Sequence, residues 1–334
     1  MTKIAILMPE STYQRQITPA HLRDLEAIAD DTVRHFSDIE SLQIDPEMAQ
    51  AEVVITGWGS SRFSAACLDR LPNLRLIAHG AGTLRFLIDP VLLEHGIRVT
   101  SSAAANAIPV AEFTLSWILR WNKMLPFWET AYKQSPDSFP LRGNNKFAHI
   151  GNINKTIGII GASKVGRHLL QLLQSFDMEC LLADPFVSAS DIAKLGASKV
   201  ELSELLERSD IVSLNAPLLK ETRGMIGTAE LARMKDGALL INTARGPMID
   251  HDALLRELQS ERLSAVLDVT DPEPLPDDSP FLALDNVFLT PHVAGSLGTE
   301  IHRMTDSVIS EIKLFLDKGE LRHEVRLENW ATAA

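Results

Sequence analysis

Cysteine, basic charge and long apolar runs are all scarce in this chain. The two cysteines among 334 residues, Cys67 and Cys180, lie far apart beside apolar residues, so we interpret them as reduced core thiols rather than a disulfide. A formal net charge of −12 without a basic cluster argues against a nucleic-acid partner. Because no apolar run approaches membrane-spanning length and no signal-peptide pattern occurs, we expect a cytoplasmic protein without a membrane partner.

Metal-ligand patterns are also lacking. The ten histidines show no metalloprotease spacing, and the chemistry considered below requires no metal, so we predict no metal site. Hydrophobic residues make up 45% of the chain and charged residues 23%, which are ordinary values for a globular protein. A length of 334 residues suggests about two domains.

Strand and helix patterns alternate along almost the whole chain. Such alternation predicts mostly parallel sheets covered by helices on both faces, that is, an α/β fold. Strands are predicted at 3–8, 52–56, 74–78, 97–99, 156–160, 178–183, 210–214, 237–241, 263–268 and 286–289. Helices are predicted near 19–30, 64–70 and 299–318, and the last of these should pack back onto the first unit. The acidic, proline-rich stretch 271–280 is interpreted as a loop.

One long helix is predicted from Asn106 to about residue 134, with Pro109 in its first turn. Five aromatic side chains fall along this segment, which is more than one helix stripe usually needs: Phe113, Trp117, Trp121, Phe127 and Trp128. Two interpretations remain open. These side chains belong either to the core of a domain or to a homodimer interface, where aromatic residues are enriched.

The segment 156–166 has the pattern of a strand, a small-residue turn and a helix start. Gly161 would permit the tight turn, Ser163 occupies the position where backbone approaches a pyrophosphate, and Gly166 would allow close helix–strand packing. Unpaired N–H groups at the helix start would face the phosphates. The pattern therefore predicts a βαβ dinucleotide site for a nicotinamide or flavin cofactor, although a plain strand–helix turn without a cofactor remains the alternative.

Asp184 ends the next apolar strand, near the offset of about 20 residues at which an acidic side chain accepts both ribose hydroxyls. A 2′-phosphate would meet like charge there, and no arginine follows directly. The segment therefore favours NAD, or NADH in the reducing direction, over NADP.

Three later segments place a charged or titratable residue at the carboxyl end of an apolar strand. The planar guanidinium of Arg245 matches the geometry of a substrate carboxylate, although the same side chain is also compatible with a surface salt bridge. Asp268 is a candidate acceptor for a nicotinamide carboxamide, and Glu273 lies in a proline-stiffened loop, although either is also compatible with solvated charge. His292 follows a strand of the same sheet, where a lone histidine is more often structural. Ligands bind open α/β sheets at this edge.

Together these segments resemble the D-isomer-specific 2-hydroxyacid dehydrogenase family over nearly the whole chain. The matching stretches occur in family order: 71–75, 80–82, 106–112, 158–166, 217–218 with 221–226, 242–246, 267–269 with 273–274, and 290–295. The resemblance implies an α/β protein with two Rossmann-like domains, a parallel sheet in each and a cleft between them. It implies a flavodoxin-like substrate domain, 1–105 with 296–334, a dinucleotide-binding domain, 106–295, and a homodimer.

The resemblance also implies an NAD-dependent oxidoreductase that reversibly reduces a 2-oxo acid to a D-2-hydroxy acid. Its catalytic residues would be Arg245, Glu273 and His292. His292 would exchange a proton with the substrate oxygen as general acid and base, and Glu273 would favour the charged imidazole. Arg245 would hold the substrate's carboxylate and carbonyl end.

Contacts to the small molecules are implied in the same way. The cofactor contacts would be Gly161, Ser163, Lys164, Val165, Gly166, Asp184, Pro185, Asn215, Ala216, Pro217, Thr222, Thr243, Ala244, Arg245, Asp268, His292, Ala294 and Gly295. The substrate contacts would be Trp58, Gly80, Ala81, Gly82, Thr83, Arg245 and His292, where backbone N–H groups of the 81–83 loop would receive the substrate's carboxylate.

Some positions depart from the family pattern. Ser163 replaces a glycine, Asn215 stands where many members have histidine, and the loop after Gly82 continues as Thr83-Leu84-Arg85 without the usual aspartate, so the substrate stays open. Since fold does not fix function, two alternatives are an NAD(H)-sensing, corepressor-like binding protein of the same fold and a homologue that has lost catalysis. The intact triad of Arg245, Glu273 and His292 favours the enzyme.

Overall fold

A computed structural model describes residues 2–29, 33–135, 137 and 149–332 of the protein. The chain divides into two compact units. Unit 1 comprises Met1–Ala107 with Ser296–Ala334, and unit 2 comprises Ile108–Gly295. The last position of the predicted helix 19–30 lies outside the described residues.

The strands of the described residues are short and mostly apolar. They are β1 (Ile4–Leu7), β2 (Arg34–Phe36), β3 (Val53–Thr56), β4 (Leu76–His79), β5 (Arg98–Ser101), β6 (Lys155–Ile160), β7 (Met178–Ala183), β8 (Ser198–Lys199), β9 (Ile211–Leu214), β10 (Leu239–Asn242), β11 (Ser264–Leu267), β12 (Val287–Leu289) and β13 (Glu324–Val325). All the predicted strands have a counterpart here, whereas β2, β8 and β13, with two or three residues each, were not predicted.

The α-helices lie between these strands. They are α1 (Glu10–Gln16), α2 (Pro19–Ala29), α3 (Ile39–Ile44), α4 (Val91–Glu94), α5 (Ala103–Asn122), α6 (Leu125–Gln134), α7 (Lys164–Leu173), α8 (Ala189–Lys194), α9 (Leu202–Arg208), α10 (Thr228–Arg233), α11 (His251–Gln259) and α12 (Glu300–Lys318). The predicted helix at 64–70 is a 3-10 helix, Ala65–Arg70.

Unit 1 contains a six-stranded sheet in the order β13-β5-β4-β3-β1-β2. Its strands pair in parallel except for β13, which pairs antiparallel with β5. Alternate residues face two cores. On one face Ile4 and Ile6 pack with Val308 and Ile312 of α12, which confirms that the last helix packs onto the first unit. This flavodoxin-like strand order reverses between β1 and β3, and ligands bind such sheets at the carboxyl ends of those strands.

Unit 2 contains a parallel seven-stranded sheet in the order β12-β11-β10-β9-β6-β7-β8. Its strand residues also alternate between two cores. Leu240 packs with residues of α9, α10 and α11, whereas Leu239 and Ile241 pack with residues of α5, α7 and α8. Helices therefore cover both faces, as predicted. The strand order reverses between β6 and β9, so the ligand-binding edge expected for this sheet is where β6 and β9 end.

The prediction of one long helix at 106–134 was wrong. Helix α5 begins earlier, because Ala103 to Ala105 are strong helix formers, and Pro109 lies inside the helix rather than in its first turn. Met124 then adopts a left-handed conformation, φ 51°, and Pro126 lies in the first turn of the separate helix α6.

The aromatic side chains consequently fall on two helices. Phe113, Trp117 and Trp121 of α5 pack against the core of unit 2, where the rings of Trp117 and Phe288 lie 5.0 Å apart. For these side chains the structure agrees with the core interpretation. Phe127 of α6 is 39% exposed, and no residue of that helix is buried. Among the described residues, no helix combines the length and apolar character needed to cross a membrane.

Candidate active site

The turn after β6 is shaped by two glycines. Gly161 has φ +95°, and a Cβ there would lie 2.7 Å from the backbone nitrogen of Ala216. A Cβ on Gly166 would lie 2.2 Å from the carbonyl oxygen of Gly161. Neither position has room for a side chain. Gly161 lies against the backbone of the loop after β9, and Gly166 of helix α7 lies against the turn itself.

Ser163 has a structural reason to replace glycine. It is the N-cap of α7, and its Oγ accepts a hydrogen bond from the Gly166 N–H at 3.3 Å. The N–H groups of Lys164 and Val165 in the first turn have no acceptor within the helix, as at any helix start. The serine therefore satisfies one amide of this turn and leaves the others for an anion.

Asp184 reaches from the end of β7 to the glycine turn. Its Oδ2 accepts a hydrogen bond from the Ala162 N–H at 2.8 Å, and its Oδ1 accepts one from the Phe186 N–H at 2.8 Å. The half-buried carboxylate is thus fixed beside the turn, and the exposed Pro185 follows it. This brings together the two parts of the predicted dinucleotide pattern.

The loop after β9 contributes a buried acceptor without a partner. Asn215 is 4% exposed, and its Nδ2 donates to the carbonyl oxygen and the Oγ of Ser213. Its Oδ1 has no hydrogen-bond partner within the described part of the chain. An unsatisfied buried acceptor costs about 1–3 kcal/mol, so it marks a position where a donor from a bound molecule would be stabilised.

Two threonines of the predicted cofactor set serve the loops in which they lie. Thr222 donates to the carbonyl oxygen of Pro217 at 2.7 Å and accepts from the Leu219 N–H, which closes the loop after Ala216. Thr243 is buried at the end of β10, with its hydroxyl 3.4 Å from that of Thr114.

These features fit a dinucleotide. The glycine turn has the tight geometry of a dinucleotide-binding turn, the first-turn amides of α7 offer donors, and Asp184 offers acceptors for ribose hydroxyls. The orphaned Oδ1 of Asn215 at the neighbouring strand end adds an acceptor. The residues of unit 2 are therefore suited to hold such a cofactor, whose nicotinamide would supply or accept a hydride.

Arg245 lies on the surface just after β10. Asn242 shapes this turn, since its Oδ1 accepts from the Ala244 N–H at 3.0 Å and its Nδ2 donates to the Arg245 carbonyl oxygen at 3.0 Å. The Arg245 guanidinium donates to the Ala244 carbonyl oxygen at 2.6 Å, and the side chain is exposed. The strand therefore presents the guanidinium at its carboxyl end, as predicted.

His292 and Glu273 form a close pair. The His292 Nδ1 lies 2.7 Å from the Glu273 Oε1, and the two side chains are 52% and 42% exposed. This contact fixes which nitrogen faces the carboxylate and leaves Nε2 outside the pair. His292 has φ +55°, a conformation that is uncommon for residues with a side chain and that concentrates at functional sites.

Asp268 holds the turn that carries His292. It is 2% exposed, and its carboxylate accepts hydrogen bonds from the Thr290 hydroxyl at 2.6 Å, the Val293 N–H at 2.8 Å and the Ala294 N–H at 3.0 Å. Its carbonyl oxygen accepts from the His292 N–H at 2.9 Å. The cofactor contact predicted for Asp268 from the sequence stays a prediction. The structure shows that Asp268 also stabilises the turn of residues 290–295.

His251 was missed by the sequence analysis. Its Nδ1 lies 3.1 Å from the Ile249 carbonyl oxygen, and its Nε2 accepts a hydrogen bond from the Asp271 N–H at 3.2 Å. It thus anchors the loop that carries Glu273. Nothing in the local pattern indicated a contact with a loop so far along the chain.

The predicted substrate loop follows β4 in unit 1. The Gly80 N–H donates to the Thr56 carbonyl oxygen at 2.7 Å, and the Ala81 carbonyl oxygen accepts from the Ser102 N–H at 3.0 Å. For the N–H groups of Ala81 and Gly82, no acceptor occurs among residues 2–29, 33–135, 137 and 149–332. Trp58, 37% exposed, lies in the loop after the neighbouring strand β3.

A doubly wound parallel sheet with a glycine turn at its switch point defines a dinucleotide-binding protein. The family model "D-isomer specific 2-hydroxyacid dehydrogenase, NAD binding domain" matches residues 116–294. The chain therefore belongs to the D-isomer-specific 2-hydroxyacid dehydrogenase family, and unit 2 contains its NAD-binding domain.

Individual relatives agree with this family. The glyoxylate reductase of Korarchaeum cryptofilum is 39% identical over 265 residues, which cover 78% of this chain and 78% of that protein. The D-3-phosphoglycerate dehydrogenase of Archaeoglobus fulgidus is 30% identical over 84% of this chain and 52% of its own length. The chain thus spans about half the length of that relative. A phosphoglycerate oxidoreductase from Rhizobium etli has a similar crystal structure, with a TM-score of 0.82 and 25% identity over 97% of this chain and 98% of its own.

Proposed function

We propose that this protein is an NAD-dependent oxidoreductase that reversibly reduces a 2-oxo acid to a D-2-hydroxy acid. The observation that carries the proposal is the 2.7 Å contact between His292 and Glu273 on the sheet that carries the glycine turn. All strands of this sheet are parallel, so the ends of β11 and β12 lie on the same edge as the ends of β6 and β9. Proton-transfer chemistry and cofactor binding are therefore assigned to one edge.

The chain's own residues account for binding and proton transfer. When bound, NADH supplies the hydride that adds to the carbonyl carbon of the substrate. His292 gives the proton that the carbonyl oxygen takes up, and it takes that proton back in the oxidation direction. Glu273 orients the imidazole through its contact with Nδ1. Arg245 binds the carboxylate and carbonyl end, where negative charge grows during reduction.

Asp184 supports the choice of NAD over NADP. Its carboxylate is fixed beside the glycine turn by two backbone N–H groups, so a 2′-phosphate on the ribose would meet a negative charge that cannot easily move away. We therefore assign NAD as the working cofactor.

The substrate's carboxylate is assigned to the loop of Gly80 to Thr83. Two of its N–H groups, those of Ala81 and Gly82, have no acceptor in the described chain, which is the property that an anion-binding loop requires. The neighbouring Trp58 would contact the variable group of the acid, so we expect this indole to influence which 2-oxo acid is preferred.

The deciding experiment measures NADH oxidation with glyoxylate, hydroxypyruvate, pyruvate and bulkier 2-oxo acids. We expect turnover with at least one of them, its loss by at least about 100-fold in His292→Gln, and chiral analysis that gives the D product. His95→Gln is the matched control, because this exposed histidine contacts the Val91 carbonyl oxygen of α4 and is not among the residues assigned to substrate or cofactor. No turnover across the panel by a protein that binds NADH would refute the enzyme and favour an NAD(H)-sensing binding protein.

We also propose a homodimer, supported by the apolar surface of α6. Leu125 and Phe127 are each 39% exposed and Tyr132 is 56% exposed, although each is apolar or aromatic. Aromatic residues are enriched in interfaces. Light scattering coupled to gel filtration should give twice the mass of one chain, and Phe127→Asp should shift the protein to a monomer. A wild-type monomer at micromolar concentration would contradict this proposal.

A cytoplasmic location is proposed from the state of the cysteines. Cys67 and Cys180 are buried and free, and burial raises the pKa of the Cys180 thiol to about 11. Free thiols persist in reducing compartments. Fractionation of the native host should recover the protein with cytoplasmic markers, and recovery with an extracellular or periplasmic fraction would contradict the proposal.

A further inference from the structure

Gln16 lies beneath the predicted substrate loop and is almost completely buried. It is 1% exposed, and its Nε2 donates a hydrogen bond to the Gly80 carbonyl oxygen at 2.7 Å. A Cβ on Gly80 would lie 2.1 Å from that nitrogen, and a Cβ on Gly57 would lie 2.7 Å from the Gln16 Oε1. The amide therefore fits between the ends of β3 and β4, in contact with both glycines.

The orientation of this amide is imposed by the loop. The Gln16 Oε1 has no hydrogen-bond partner in the described chain. Rotating the amide by half a turn would place Oε1 against the Gly80 carbonyl oxygen and lose the bond from Nε2 to Gly80. The bond from Nε2 to Gly80 therefore leaves the Gln16 Oε1 buried without a partner. Such an unsatisfied acceptor lowers the stability of the folded state.

Helix α1, which ends at Gln16, is itself fixed on both sides. Its Thr12 hydroxyl donates to the Trp58 carbonyl oxygen at 3.0 Å, and the Gln16 carbonyl oxygen accepts from the Thr305 hydroxyl of α12 at 2.9 Å. The helix therefore connects the loop that carries Trp58 with the loop that begins at Gly80. The position of Gln16 is therefore fixed by the hydrogen bonds of its helix.

His79 holds the same loop from its other end. Its Nδ1 lies 2.9 Å from the Thr56 hydroxyl, and the imidazole also hydrogen-bonds the backbone of Thr83. The side chain is buried, and this burial lowers its pKa to about 4, so the ring is neutral at pH 7. The loop is thus held by a side chain at each end.

We propose that Gln16 and His79 are positioning residues for substrate binding, which hold the backbone of Gly80 to Thr83 so that the Ala81 and Gly82 N–H groups stay available for the substrate's carboxylate. The inference rests on the proposed function. The Gly80 carbonyl oxygen accepts from Gln16 and the Ala81 carbonyl oxygen from Ser102, whereas the Ala81 and Gly82 N–H groups have no acceptor within the described ranges of the chain. A loop arranged in this way binds an anion without first rearranging.

A positioning role predicts a selective kinetic effect. The loop belongs to unit 1, whereas the glycine turn that would hold the cofactor belongs to unit 2. Loosening the loop should therefore raise the KM for the 2-oxo acid without changing the KM for NADH. A merely structural role would lower thermal stability and the amount of active enzyme without this separation.

The test substitutes Gln16→Met, which keeps the volume and removes the donor. We expect the KM for the best 2-oxo acid of the panel, and the dissociation constant of oxamate measured by fluorescence with NADH present, to rise about tenfold or more, the loss expected for one hydrogen bond to a backbone group. The KM for NADH should stay within about twofold. Gln14→Met is the matched control, because Gln14 lies on the same helix but is exposed and bonds Glu10, one turn earlier.

A second variant keeps the inference testable if Gln16→Met fails to fold. Thr56→Val removes the hydroxyl that contacts His79 with little change in shape, and it should raise the same two constants in the same direction. Unchanged constants in folded variants, or equal rises for NADH and the 2-oxo acid, would overturn the positioning role. An inactive wild-type protein that binds oxamate more tightly than the variants would overturn the proposed function and retain the positioning role.

Discussion

The Nδ1 of His292 lies 2.7 Å from the Oε1 of Glu273, although the two residues are far enough apart in sequence to follow different strands of the sheet. His292 follows β12 and Glu273 follows β11, and these strands are paired in parallel. The pairing therefore brings both strand ends to the same edge, where the contact forms. In the proposed reaction this contact would orient His292, the proposed proton donor.

Replacing Glu273 with glutamine should lower kcat/KM for 2-oxo acid reduction. The change keeps the size of the side chain, but it replaces an acceptor of the carboxylate with an amide that can turn its NH2 group towards the His292 Nδ1, so the contact that orients the imidazole weakens. Because both side chains are about half exposed, solvent screens the interaction, and we expect a loss of about fivefold or less. The measurement is kcat/KM for the 2-oxo acid at constant pH.

Asp271→Asn is the matched control for that experiment. This acid lies in the same loop, and no side-chain contact between it and His292 occurs among the described residues. Its kcat/KM should equal that of the wild type. An unchanged kcat/KM in Glu273→Gln, or an equal loss in both variants, would mean that Glu273 does not orient His292.

Replacing Asp184 with alanine should weaken the preference for NAD over NADP. The change removes acceptors for the ribose hydroxyls and the charge that repels a 2′-phosphate, so NAD should bind about tenfold more weakly while NADP loses little or gains. The dissociation constants of NADH and NADPH, measured by fluorescence, give the ratio. Asp184 also accepts from the Ala162 N–H, so equal weakening of both cofactors would indicate that the turn itself had been disturbed.

Protonation of His79 should destabilise the fold between pH 6.5 and pH 4. Burial lowers its pKa from an ordinary value of 6.5 to about 4, so the unfolded chain binds this proton in a range where the folded protein does not. At pH 7 the imidazole is neutral in both states and contributes nothing. As the pH falls through this window, the free energy of unfolding should decrease by about 3 kcal/mol from this group, and below pH 4 the contribution levels off.

The check is urea unfolding of wild type and His79→Gln at pH 7 and at pH 4.5. The variant should lose less stability than wild type between these two pH values, whatever its stability at pH 7. His95→Gln serves as the control, since His95 is exposed and should leave the pH dependence unchanged. Parallel losses in wild type and His79→Gln would show that other groups carry the acid sensitivity.

The sequence made the strands and the glycine turn predictable because their signals are local. Ile211 to Leu214 is a run of buried strand residues, and Gly161 and Gly166 stand at positions where a Cβ would collide with backbone. Their position after apolar strands made Arg245, Glu273 and His292 candidates, but the roles proposed for them came only through the family resemblance, because nothing near His292 in sequence identifies Glu273 as its partner. Their contact requires the pairing of β11 with β12.

Other contacts left no local signal. Gln16 ends a short polar helix and bonds Gly80, 64 positions along the chain. His251 bonds Asp271 across another loop. Met124 adopts the left-handed conformation that separates α5 from α6, although methionine has no preference for it. In each case the tertiary arrangement of loops decides the contact, so propensity and spacing are insufficient.

Asp268→Asn should lower kcat through the geometry of the His292 turn. The carboxylate accepts from the Thr290 hydroxyl and from the Val293 and Ala294 N–H groups, and an amide in its place would set NH2 hydrogens against at least one of these donors. The buried mismatch should cost about 1–3 kcal/mol of unfolding free energy. Because His292 depends on this turn for its φ of +55°, we expect kcat to fall by about tenfold or more.

Thr290→Val separates stability from geometry in this experiment. It removes one donor and leaves both backbone bonds to Asp268, so it should destabilise the protein by about 1 kcal/mol and change kcat by less than about threefold. For a similar loss of stability, Asp268→Asn should therefore lose more kcat than Thr290→Val. Steady-state kinetics measures the kcat, and urea unfolding measures the stability. If Asp268→Asn kept the wild-type kcat after losing this stability, the turn would not depend on the carboxylate for the orientation of His292, and Asp268 would contribute only to folding.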